Sequence, residues 1–156
     1  MKKILLAALV LPWICSCSQI SIRTAPHTDL SQYQHIYVEH RLTDGHGMDQ
    51  AIMRGLRHLG YDASYGPPTL MPRNTELIIR YDDRWTFDFT TYPISIDLEV
   101  RSAKLDKLLG TAHNYRPSIT GGTPSDLVDI LLRKLFKAKT PLPDLSPPSD
   151  TPEAGT

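Results

Sequence analysis

Apolar and polar positions alternate most clearly in the middle of the chain. Leu77, Ile79, Tyr81, Trp85, Phe87 and Phe89 share one parity, and Ile78, Arg80, Asp82, Arg84, Thr86 and Asp88 the other. Ile94, Ile96, Leu98 and Val100 then alternate with Ser95, Asp97, Glu99 and Arg101. A period of two with one charged face predicts an antiparallel hairpin whose outer side is wet, with its turn at Thr90-Thr91-Tyr92-Pro93. His35 to His40, Tyr61 to Tyr65 and Leu108 to Tyr115 read as further strands. Helical spacing replaces alternation twice. Met48, Ala51, Ile52, Gly55, Leu56 and Leu59 form one stripe, stopped by Gly60. Leu127, Ile130, Leu131 and Leu135 form another, opened by Thr123 as cap, Pro124 and Asp126. Val128, Leu132 and Phe136 widen that second stripe, which would mark a partner surface if they are exposed. The expected fold is α+β: a two-layer sandwich with a mostly antiparallel sheet of four to five strands. Two helices lie on one face, in the order β-α-β-β-β-β-α.

The ends of the chain follow other rules. Met1-Lys2-Lys3 precedes an apolar run from Ile4 to Ile14, too short to span a bilayer and of the form of a secretory signal peptide. Ile14-Cys15-Ser16-Cys17 resembles a bacterial lipobox, in which an aliphatic and two small residues precede the lipidated Cys. Cys17 fits that register. Cys15 does not, because Trp13 and Ile14 would fill the small positions. Ordinary cleavage near Ser16 or Ser18, releasing a soluble periplasmic protein, is the competing reading. The expected organisation is a signal peptide over 1–16, a lipidated Cys17 and tether over 17–32, an α/β domain over 33–137, and a disordered tail over 138–156. Five prolines and three acids without an aromatic make that tail unable to bury enough surface to order itself.

Charge and chemistry narrow the function further. With 17 basic residues against 17 acidic ones, the chain lacks the footprint of a general nucleic-acid binder. If Cys15 leaves with the signal peptide, no thiol pair remains for a disulfide or a thiolate metal site. Its six histidines show no close pair on one face, so no metal and no cofactor are expected. Asp82, Asp83, Asp97 and Glu99 interleave with Arg80, Arg84 and Arg101, a salt-bridge ladder rather than an acid–base pair. Avoiding like-charge pairs predicts Arg84 opposite Glu99 and Asp82 opposite Arg101, which sets Trp85 against Leu98 and Phe87 against Ile96. Asp83, on the apolar parity, predicts a bulge there. Glu76 to Phe89 would extend about 46 Å at about 3.3 Å per residue. The first helix covers only about 18 Å. One end of the hairpin therefore projects and carries Trp85, Phe87, Phe89 and Tyr92, the candidate partner-binding residues. Exposed as a group they mark a partner or membrane contact; covered by the helices and the 66–75 loop they are core.

Beyond the lipobox, Tyr33-x-x-Ile36-x-Val38, Leu59-Gly60-Tyr61 and the run Leu77-Ile78-Ile79-Arg80-Tyr81-Asp82-Asp83-Arg84-Trp85 resemble small outer-membrane lipoproteins of the DUF4136-like group. The order of elements is also similar to the LPS-assembly lipoprotein that plugs an outer-membrane barrel, with two helices on a four-stranded sheet. The resemblance implies a non-catalytic interaction or assembly module. It would be held at the outer membrane by its N-terminal lipid, with its domain in the periplasm and an envelope protein as possible partner. Ser18, where an inner-membrane lipoprotein would have Asp, implies the same address. The alternatives are a carrier of a small ligand or lipid, and an auxiliary subunit of an envelope transport machine.

Overall fold

The computed structural model describes residues 19–88, 90–116 and 122–136. The expected signal peptide, Cys17, Phe89 and the Pro-rich tail lie outside the described residues. Six strands and two α-helices follow one another: β1 (Gln19–Thr24), β2 (His35–Glu39), α1 (Met48–His58), β3 (Asp62–Gly66), β4 (Leu77–Asp88), β5 (Thr90–Ser102), β6 (Leu108–Tyr115) and α2 (Pro124–Leu135). The strands form one open sheet in the order β1-β6-β5-β4-β2-β3. β2 pairs in parallel with β3 and β4, and the other three pairings are antiparallel. Both helices pack on one face. Ile36, Val38, Ile79, Leu98 and Val100 from the sheet share a core with Ile52, Leu56, Leu131, Leu132 and Leu135. Each such side chain contributes about 1.5–3 kcal/mol by leaving water. The α+β sandwich is therefore as the periodicities predict.

The strand count differs from the expected four to five. The sequence reads 17–32 as a tether, yet Gln19–Thr24 pairs along β6 from Gln19 opposite Tyr115 to Thr24 opposite Gly110. Only Ile20 and Ile22 of this strand pack on the core, so its alternation is faint. What recruits it is the open edge of β6, whose backbone groups otherwise lack strand partners.

The hairpin register also differs. Arg80 lies opposite Glu99, Tyr81 opposite Leu98 and Asp82 opposite Asp97, and Thr90 to Pro93, the expected turn, are paired residues of β5. Trp85 faces Pro93 instead of Leu98, and Phe87 faces Thr91 instead of Ile96. This register aligns the two apolar rows, Ile79 with Val100 and Tyr81 with Leu98, all buried. That burial outweighs a cross-strand charge pair worth about 0.2–1 kcal/mol. Each of the opposed carboxylates has another partner, Asp82 in the Arg41 guanidinium and Asp97 in the His113 ring nitrogen. A register shift occurs between Arg84 and Trp85, one residue past the predicted site, and leaves Ile94 as the extra residue of β5. Pro93, without an N–H, sits beside that irregularity.

Thr123 and Asp126 cap α2 reciprocally, as the sequence predicts. Val128, Leu132 and Phe136 are all buried, so the wide side of α2 is not a partner surface. It is the seam with α1 and with Tyr61, whose ring centroid lies 5.0 Å from that of Phe136. Gly55 makes the seam possible: a Cβ there would lie 2.6 Å from Asp129 Oδ1 and 2.7 Å from Leu132 Cδ1.

Candidate functional site

The N-terminal end of β5 organises one end of the molecule. Arg84, Ser95, Tyr115 and Gln19 stand in one line across four strands, each paired with the next. Beyond that line, among the described residues, the Arg116 amide still bonds the Ile94 carbonyl at 2.8 Å, and past it the β4–β5 ladder runs on from Trp85–Pro93 to Asp88–Thr90. The loop from β2 to α1 returns on the same side of the sheet line, since β2 runs parallel to β4.

That loop is clamped to the hairpin stem. Asp44 Oδ1 accepts the amides of His46 and Gly47 at 2.9 and 2.8 Å, and Oδ2 accepts that of Asp49 at 3.2 Å. Tyr81 donates its hydroxyl to the same carboxylate at 2.7 Å. Burial alone would raise the Asp44 pKa, but the Tyr81 hydroxyl and these amides overcome it and hold the carboxyl below its usual range. Burial and the Asp44 carboxylate push the Tyr81 hydroxyl well above its usual range, so it stays a donor. Arg41 bonds to Asp82 and Asp83. His46 stacks on Trp85 at 3.8 Å between centroids and 12° between planes. The Trp85 indole N–H donates to Asp83.

The four aromatic candidates therefore part company. Trp85 is half-buried, held by His46 and Asp83 and packed on the core. Tyr92 is half-buried opposite Thr86. Phe87 is 74% exposed, and Leu42, in the clamped loop, is 98% exposed. Phe89 lies outside the described residues. The periodicity places Tyr81 only on the apolar parity of β4 and gives Asp44 and His46 no role. The available signal was an Asp shortly before a helix whose own cap position, Gly47, has no side chain.

His40, Asp44 and Asp49 bring one ligand atom each within 4.8 Å of one another, the spacing of a cation site. Their atoms are already engaged, with Asp49 Oδ2 2.7 Å from His40 Nδ1 and Asp44 holding its four donors. The cluster reads as the start of α1 rather than as a vacant chelate. On the wet face, Arg80 reaches Glu39 at 3.1 Å and Asp106 at 3.3 Å, while Arg101 reaches Asp106 at 2.8 Å and Glu99 at 3.4 Å. This is a ladder of the expected kind, although its partners are not those predicted. Grooves of about 230 and 290 Å³ lie along it, lined by residues such as Asp82, Asp97, Glu99 and His113.

No protein-family model matches the chain, and no curated protein does. Solved structures do. A PelC dodecamer from Paraburkholderia phytofirmans is similar with a TM-score of 0.56 and 14% identity, over 78% of this chain and 97% of that one. A second crystal form of the PelC dodecamer gives 0.53 and 14%, over 77% and 96%. A DUF4136 family protein from Bacteroides thetaiotaomicron is similar with a TM-score of 0.49 and 10% identity, over 77% of this chain and 94% of that one. At these identities the likeness to PelC establishes a shared fold, which spans nearly the whole of that chain.

Proposed function

We propose that the protein is a lipid-anchored, non-catalytic envelope protein that acts as an assembly module at the outer membrane, with its domain in the periplasm. The observation that carries this reading is the open sheet. Among the described residues, β1 and β3 are its outer strands, and the helices pack on one face. Such edges accept a further strand or a second copy of the chain. The lipobox at Cys17 supplies the anchor. The PelC chains of the same fold are dodecamers, which supports self-association as the form of assembly. A contact between two different edges generates a ring when its rotation closes. The charged lining of the wet-face grooves does not favour a lipid carrier.

The test is to express the full chain in a bacterium, extract it from membranes in mild detergent and measure its mass in solution. A discrete homo-oligomer or a stoichiometric complex with one envelope protein is expected, with the Cys17→Ser variant released from the membrane fraction. A monomer without a partner would sink the assembly reading.

A further inference from the structure

We infer that the projecting β4–β5 hairpin is a second membrane contact, with Phe87 meeting the lipid interface beside the acyl anchor. The inference rests on the lipid-anchored reading of Cys17 above. Its geometric basis is the line Arg84–Ser95–Tyr115–Gln19 across the sheet. β1 runs from Gln19, on that line, toward Thr24 at the far end. Cys17 precedes Gln19 by two residues of sequence, and two residues of chain reach no further than about 7 Å. Phe87 lies three residues past Arg84, about 10 Å beyond the same line at about 3.3 Å per residue. A lipid on Cys17 and the exposed ring would thus belong to the same end of the sheet. Sideways they are three strand spacings apart, about 14 Å. A leaflet that takes up the acyl chains is wide enough to meet both.

The side chains at this end suit such a surface. Phe87 is 74% exposed and Leu42 98% exposed. Leu42 is held near the hairpin stem, because its neighbour Arg41 is bound to Asp82 and Asp83. Arg84 is exposed at the base of the hairpin, where it can face lipid phosphates. Apolar side chains flanked by a cation are the pattern of interfacial anchors. Trp85 is not the inserting residue, since His46 and Asp83 hold it against the stem.

Depth-dependent quenching tests this directly. The Phe87→Trp/Trp85→Phe variant of the full chain, purified from membranes, is reconstituted into vesicles of phosphatidylethanolamine and phosphatidylglycerol with brominated acyl chains. A Leu105→Trp/Trp85→Phe variant reports the opposite end, where Leu105 is 78% exposed. Loss and blue shift of emission for the first variant, with neither for the second, are expected. Equal emission from both in brominated and plain vesicles would overturn the inference. So would a blue shift of the first variant without quenching, which puts the hairpin against protein. Mass spectrometry of Cys17 separates the two readings. An acylated chain with an unquenched hairpin leaves the anchor standing and removes the contact, whereas an unacylated chain removes both.

Discussion

Asp44 does from three positions away what a capping residue does next to a helix. Gly47, at the start of α1, has a left-handed backbone with φ of 68° and no side chain to offer. The Asp44 carboxylate fills that role for three amides and also satisfies the buried Tyr81 hydroxyl. Asp44→Ala is expected to lower stability by about 2–3 kcal/mol, combining a lost cap with an unpaired hydroxyl. Urea denaturation measures this, and a change below about 0.5 kcal/mol, the range of an ordinary surface substitution, would refute the clamp.

At the scale of elements, the seam between the helices decides the layer above the sheet. Gly55 lets α1 approach α2 closely enough for Leu132 to be fully enclosed. In an isolated helix Gly55→Ala would help by about 1 kcal/mol. Here the added methyl overlaps an enclosed Leu132, and overpacking costs about 1–3 kcal/mol. A net loss of about 1 kcal/mol is expected in thermal or chemical denaturation, and a gain would show that the helices separate freely. The hairpin is the second informative element. Its two strands were legible from alternation. Its register was not, because a charge rule compares pairs within the hairpin, while Asp82 is neutralised by Arg41 from a loop 41 residues earlier. β1 was missed for a related reason. Two isoleucines in six residues make a strand only where a partner edge is waiting.

At the scale of the whole molecule, several carboxylates tie distant segments together. Glu76 accepts the amides of Gln34 and His35, which lowers its pKa, and an Arg101 hydrogen bond lowers that of Asp106. Asp44 is lowered as described. A carboxyl whose pKa is lower folded than unfolded adds stability above its unfolded value, about 3.9–4.3, and loses it as pH falls through the folded value. The contribution of these three carboxylates is therefore expected to be level down to about pH 5 and to be lost steadily below about 4. Denaturant midpoints measured across that range check the sign, and a midpoint that rises on acidification would contradict it.

The sequence by itself determined the local periodicities, and these are properties of neighbouring residues. They specify which segments alternate, which carry a helical stripe and where Thr123 begins α2. The α+β layering follows from them, since every apolar face needs a partner. What only the tertiary structure decided depends on residues far apart in the chain. It placed β1 on the free edge of β6, set the hairpin register by aligning buried rows, and turned the broad face of α2 inward against α1. It also split the aromatic group, drawing Trp85 under His46 while leaving Phe87 in the open. Alternation assigns both rings to one face. Which of them is covered depends on how far the loop before α1 reaches along the hairpin, and no spacing within β4 encodes that distance.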